Sequence, residues 1–323
     1  MKSCLKDGLA LWNPPNQVFV SAKVMGGGDM RIACIGEAMI ELSMSGDTAQ
    51  IGVAGDTLNT AIYLKRAAPD IEVDYITILG DDPFSDRIEQ FIASHDIGTE
   101  QIRRMAGKSP GLYAINTRAD GERSFTYWRD SSPARNLFRH TREYDLLETY
   151  DAIYLSGITM AILPGDVSRD LARHLNNNAC YMDVIYDSNY RPQLWEDQDL
   201  AREITTQMWH RADVRLPSLD DEMALYGETA EERTSWLTGN QDGGCGAIKR
   251  GAQGPLSIGE PVVQEYPVVR EVVDTTAAGD SFNGAYIAAH YSGADQADAL
   301  MAGHLCASHV VQHRGAIVPP PAG

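Results

Sequence analysis

Short apolar runs punctuate the chain at Arg31 to Ile35, Val73 to Leu79, Ala152 to Leu155, Tyr181 to Tyr186 and Ala247 to Lys249. Their length and content read as strands buried on both faces of a sheet. Elsewhere the apolar spacing changes to that of one helix face, at Phe84, Ile88, Phe91 and Ile92 and again at Ala297, Leu300, Met301 and Leu305. Strands alternating with helices predict an α/β fold: a mostly parallel sheet with helices on both faces. In such sheets ligands gather beyond the carboxyl ends of the strands, so the loops there are the ones to read for chemistry.

One segment breaks this rhythm. Leu112 to Thr117 and Arg123 to Arg129 are β-rich runs joined by Arg118-Ala119-Asp120-Gly121-Glu122, a hairpin signal, and they predict a small β-sheet lid. Towards the end of the chain, the Val-rich stretch Val262 to Val273 reads as a strand. It runs into Asp274-Thr275-Thr276-Ala277-Ala278-Gly279-Asp280-Ser281-Phe282, and apolar residues at Phe282, Ala285, Tyr286 and Ala289 then continue as a helix.

That nonapeptide carries the sharpest chemistry. A strand-to-helix turn would direct the N–H groups of Ala277, Ala278 and Gly279 outward at the positive end of the helix dipole, a ready anion hole. Asp280 at its mouth is the candidate general base; alone, it could equally be a helix cap, as Asp274 could simply close the turn. Asp56 and Asn59 lie three apart at a helix start, with Gly55 allowing close backbone approach, which suits sugar hydroxyls but equally a plain capped helix with Asp56 as the cap. Arg129 and Arg191 offer guanidinium forks suited to a carboxylate, and Tyr113 could donate to the same group or to a keto oxygen. Lys249-Arg250-Gly251-Ala252-Gln253-Gly254 supplies a glycine loop after a strand, a place for a nucleotide or equally a simple glycine turn, in a chain with no G-x-x-x-x-G-K-[ST] sequence.

The nonapeptide closely resembles the second signature of the ribokinase-like (PfkB) family of carbohydrate and nucleoside kinases. Gly36 to Leu42 and Ala54 to Ala61 are similar to that family's first strand and sugar-gripping segment, although Ala54 stands where glycine is usual. Gly111-Leu112-Tyr113, Tyr127-Trp128-Arg129, Asp187 to Pro192 and His313 to Ala316 resemble one branch of it, the kinases of 2-keto-3-deoxygluconate. The resemblance runs from about Met30 to about Pro319. It implies a single ribokinase-like domain over residues 30–319, with a lid from about 37–55 and 111–130, and a tail at 320–323. It further implies a sugar-acid substrate held by Gly55, Asp56, Asn59, Tyr113, Arg129, Arg191 and Asp274, with Asp280 as base and Ala277 to Gly279 as anion hole. ATP would be held by Asn189, Lys249, Gly251 and Gly254, and Mg2+ organised indirectly by Glu222. The family's N-x-x-E pattern is incomplete here: Leu219 takes the asparagine's place if Glu222 is the acid, Ser218 if Asp221 is. Lid pairing between subunits implies a homodimer or higher homo-oligomer.

Bulk properties narrow the partners. The 323 residues carry a net charge of −18, which argues against nucleic acid and anionic membranes. Five scattered cysteines without a C-x-x-C pair fit reduced thiols and a cytoplasmic location, and no apolar run is long enough to span a bilayer. Residues 1–29, with Pro14-Pro15 and Gly26-Gly27-Gly28, read as an N-terminal extension without regular structure, with Met30 as an alternative start. His309 and His313 share a helix face, but with no third ligand apparent they read as helix-terminal histidines.

Overall fold

The computed structural model describes residues 30–117, 123–140, 142–177, 182–239 and 244–320. The leader 1–29, the hairpin turn 118–122 and the last residues, 321–323, lie outside the described residues. The strands are β1 (Arg31–Ile35), β2 (Met39–Ser45), β3 (Thr48–Ala54), β4 (Glu72–Leu79), β5 (Ile102–Arg104), β6 (Leu112–Thr117), β7 (Arg123–Trp128), β8 (Ala152–Ser156), β9 (Asp183–Asp187), β10 (Val214–Arg215), β11 (Cys245–Ile248) and β12 (Leu256–Ile258). The helices are α1 (Asp56–Ala67), α2 (Pro83–Ala93), α3 (Arg142–Leu147), α4 (Gly157–Ile162), α5 (Gly165–Asn177), α6 (Gln198–Arg211), α7 (Leu219–Tyr226), α8 (Ala230–Gly239), α9 (Ala278–Tyr291) and α10 (Gln296–Val310).

Eight strands form the main sheet in the order β12-β11-β10-β9-β8-β1-β4-β5, parallel throughout except for β12 against β11. Successive residues of one strand serve opposite faces, as the pleat requires. Ala33, Ile35, Ile153 and Leu155 join the core shared with α3 to α8. Ile32, Cys34, Ala152 and Tyr154 join the core shared with α1, α2, α9 and α10. This two-sided burial is why the runs carry apolar residues at nearly every position. Local signals agree: α2 starts at Asp82, whose carboxylate accepts from the N–H groups of Phe84 at 2.7 Å and Ser85 at 3.0 Å, with Pro83 at the first helical position.

A second sheet, β3-β2-β6-β7, stands beside the carboxyl ends of the main strands. Tyr113, Phe125 and Tyr127 stack on its inner face, with ring centroids 5.6 to 6.4 Å apart.

Two close approaches lock the helices that matter most. A methyl group on Gly55, at the start of α1, would come within 2.3 Å of the Glu37 carbonyl oxygen. One on Gly284, in the middle of α9, would meet the Leu64 nitrogen and the Thr60 oxygen of α1 at 2.7 Å. Helices α1 and α9 therefore touch backbone to backbone.

The stretch Val262–Val273 is not a strand. The sheet ends at β12, and the segment leaves it to run against α10, held by bonds such as Gln264 to the Ala297 carbonyl at 2.9 Å and Val273 N–H to the Val311 carbonyl at 2.7 Å. Val268 and Val272 remain 77% and 58% exposed. Valine content favours a strand only where a pleated neighbour is present to pair with it, and among the described residues no strand pairs with this stretch.

Candidate active site

One cleft of about 1180 Å³ opens at the carboxyl edge of the main sheet, between the small sheet, the start of α9 and the segment before it. The sheet delivers its polar floor. Ser156 ends β8, Asp187 ends β9 and Lys249 follows β11. Asp187 accepts from Lys249 Nζ at 2.6 Å, from Asn283 Nδ2 at 2.6 Å and from the Asn189 N–H at 3.1 Å. Asp56 accepts from Ser156 Oγ at 2.5 Å and from Asn189 Nδ2 at 2.9 Å. Asn189 sits at φ 28, a left-handed conformation that asparagine tolerates better than most residues, and it ties the two carboxylates together.

Asp280 stands one turn into α9, facing the same space and accepting from Asn59 Nδ2 at 2.8 Å. Burial raises its pKa, and the nearby Asp56 and Asp187 raise it further; the Asn59 bond and Lys249 oppose them, leaving it at about 7. A carboxyl group poised there can take a proton near neutral pH, as a general base must. Just before it, Ala277 adopts φ 58, a left-handed turn that costs a non-glycine residue about 1–2 kcal/mol and reverses the chain into the helix. The Ala278 N–H turns back to the Thr275 carbonyl at 3.2 Å. Of the expected anion hole, then, Ala277 and Gly279 keep their N–H groups for a guest while Ala278 is engaged within the turn.

Gly55, Asn59, Tyr113, Arg129 and Arg191 also line the cleft, but several arrive already partnered. Arg129, 8% exposed, is ion-paired through Nη2 with Glu37, itself 2% exposed, while its Nε has no partner. Arg191 bonds its neighbour's carbonyl at 2.7 Å and Asp221 at 3.1 Å. The Tyr113 hydroxyl, expected to face a ligand, donates instead to Glu41, directly across the β2–β6 ladder.

Three expected site residues lie elsewhere. Asp274 is buried outside the cleft and braces the turn, its two carboxylate oxygens accepting from the Thr276 N–H and hydroxyl at 3.0 and 2.7 Å and from the Gly315 N–H at 2.8 Å. Gly254 packs under Tyr266, whereas Gly251 does line the cleft. Glu222 is fully buried and pairs with Arg233 at 2.7 Å and with the Trp209 indole at 3.3 Å. Helical geometry explains the last case: one step along α7 rotates the side chain by about 100°, so Asp221 faces the cleft and Glu222 the core. Among the described residues no three His, Cys, Asp or Glu side chains converge on a metal position. His309 and His313 engage the Pro319 and His309 carbonyl oxygens at 2.9 and 2.8 Å.

Several working residues escaped the sequence reading. Asn283 follows Asp280 by three positions on one helix face, a spacing that could have drawn attention. Tyr154, which accepts from Asn283 at 3.1 Å, reads only as a core strand residue, and nothing in the sequence assigns Glu37 or Glu41 to particular partners.

A doubly covered parallel sheet, a small sheet over its carboxyl edge and an aspartate at a left-handed helix start together define a sugar-kinase architecture. The model of the pfkB family carbohydrate kinases matches residues 28–323, and the chain belongs to that family. It is similar to the 2-dehydro-3-deoxygluconokinase of Dickeya dadantii (strain 3937), with 42% identity over 302 residues, 89% of this chain and 96% of that one. Among solved structures it is similar to a PfkB protein from Polaromonas sp. JS666, with a TM-score of 0.75 at 24% identity, covering 88% of this chain and 96% of the other. An uncharacterized sugar kinase from Pyrococcus horikoshii in complex with ATP has a TM-score of 0.71 at 22% identity, covering 88% and 93%.

Proposed function

We propose that this enzyme transfers the γ-phosphoryl group of ATP to the terminal hydroxyl of 2-keto-3-deoxygluconate, giving 2-keto-3-deoxy-6-phosphogluconate. The observation that carries the reading is the single cleft joining Asp280 and its helix-start amides to a wall bearing Arg129 and Arg191. A neutral sugar has little use for two guanidinium groups, whereas the carboxylate of a sugar acid can take the donors that Glu37 and Asp221 leave open. The identity to the Dickeya relative supports the same substrate.

In this reading Asn59 and Asp56 hold hydroxyls and the arginines orient the acid end. Asp280 accepts the proton of the terminal hydroxyl as its oxygen bonds to the γ-phosphorus; the phosphorus–oxygen bond to ADP breaks and ADP leaves. The Ala277 and Gly279 amides hold the charge on the transferring group. The nucleotide lies along Asn189, the Lys249 to Ala252 loop and the Val268–Val272 segment. The donors beside that loop, Asp220 and Asp221, the latter bonded through both oxygens to Arg191, fit Mg2+ held mainly by phosphate oxygens and water. Bound there, the ion would neutralise triphosphate charge. Closing the small sheet over the sugar excludes water as a competing acceptor. The same sheet leaves Trp128 and Ile51 58% and 43% exposed, an outer surface for pairing with a second copy of the chain in a cytoplasmic homodimer.

The test is ADP release with a panel of keto-deoxy, aldonic and neutral sugars, followed by NMR location of the phosphate. Turnover confined to fructose or ribose would overturn the sugar-acid assignment.

A further inference from the structure

Lys249 is the cation the floor of the cleft is built around. Its ammonium bonds Asp187 at 2.6 Å and Asn283 Oδ1 at 3.0 Å, and a methyl group placed on Gly279 would lie only 3.7 Å from it. Asn283 is fixed in turn, donating to Asp187 at 2.6 Å and to the buried Tyr154 hydroxyl at 3.1 Å. The lysine is thus held by two acceptors at the lip of the helix-start amides, and one of them, Asn283, lies one turn of α9 beyond Asp280. A loop lysine that only contacted ribose or the outer phosphates would need no such bracing.

Resting on the kinase reading above, we propose that Lys249 is a catalytic residue that contacts the transferring γ-phosphoryl group, and that Asn283 is a positioning residue that aims it. The ammonium and the Ala277 and Gly279 amides converge on the same anion from two sides, so charge developing on the phosphoryl oxygens meets a cation already in place. Asp187 keeps the lysine tethered; Asn283 keeps it from collapsing fully onto Asp187. The lysine also acts on the base. Asp280 is faced by Asp56, Asp187, Asn59 and Lys249, and among these the lysine is the cation that opposes the two carboxylates.

The experiment compares wild type with Lys249→Met, Lys249→Arg and Asn283→Ala in two readouts. The first is binding of AMP-PNP against ADP by calorimetry, which needs no sugar. Lys249→Met is expected to bind AMP-PNP roughly ten-fold more weakly with ADP affinity unchanged, and Lys249→Arg to restore most of the difference. The second is turnover of whichever sugar acid wild type phosphorylates. There Lys249→Met should lower kcat by about 10²–10³-fold, the size of losing one anion-hole donor. It should also move the acid limb of kcat/KM to higher pH; Asn283→Ala should lie between in both respects. Should the unpaired Asp187 unfold Lys249→Met, the Asp187→Asn/Lys249→Met double variant removes both charges and must show the same losses. Unchanged discrimination between AMP-PNP and ADP in Lys249→Met, or kcat within ten-fold of wild type, overturns the proposal. A wild type that phosphorylates no sugar acid sinks the substrate reading instead, and the AMP-PNP comparison then decides for the lysine alone.

Discussion

The two ends of the cleft are built on opposite terms. At the proposed sugar end nearly every polar group is held before any ligand arrives: Arg129 by Glu37, Tyr113 by Glu41, Asp56 by Ser156, all on or beside paired strands. At the nucleotide end the wall is the Val262–Val273 stretch, outside any sheet, with valines turned to solvent. The difference teaches where selectivity resides. A prearranged polar wall rejects a wrong sugar because its groups would be left unpaired, whereas a loose apolar wall accepts a flat, shared cosubstrate through contact area and adds little discrimination.

The sharpest test of that division lies where the ends meet. Asp280→Asn should lower kcat by about 10²–10⁴-fold while leaving the KM for the sugar acid within about three-fold; steady-state kinetics that retained a tenth of the turnover would remove Asp280 as the base. Next in size, Arg129→Met should raise the sugar-acid KM by about 10–100-fold, the value of a charged hydrogen bond, and leave the KM for ATP alone. Equal changes in both would mean that the ends are not independent. At the nucleotide end the effect should be smaller: Val272→Ser is expected to raise the KM for ATP only about two- to five-fold, the loss of about 0.5–1 kcal/mol of apolar contact, without altering sugar preference.

A pH series sharpens the central group. With Asp280 at about 7, kcat/KM should climb with pH through neutrality and level off above it. Stability runs the other way. A carboxyl whose folded pKa is raised stabilises the fold fully below its unfolded value near 3.8, and that contribution is lost as pH rises through about 7. Asp280→Asn has no such loss, so its Tm advantage over wild type should grow between about pH 4 and pH 7 and stay constant above. A Tm difference that does not change with pH would show that Asp280 has an ordinary pKa.

The main sheet was legible because burial on both faces leaves little choice of residue: Arg31–Ile35 forms a strand at the limits the sequence predicts, and in the small sheet the alternating run Leu112–Thr117 does the same. The helix-start turn was equally legible, since few reasons other than chemistry place small residues between two aspartates. What could not be read is partnership. Sequence supplies Arg129, Arg191, Lys249 and many carboxylates, but which acid meets which base depends on contacts between distant strands, such as Lys249 with Asp187 62 positions away. The placement of Glu222 was hidden for a related reason, because its place in a motif fixed the helix but not which face of it looked inward. The Val262–Val273 stretch misled because composition reports what a residue favours, and pairing decides whether it gets it.

Gly284 has a wider consequence. Because α1 and α9 lie in contact at that missing methyl, Asp56 and Asn59 on one helix and Asp280 on the other travel as one body. Changes in the small sheet can therefore alter which ligand is admitted while that geometry is inherited intact. A scaffold divided in this way lets recognition diversify across a lineage without the chemistry having to be reinvented each time.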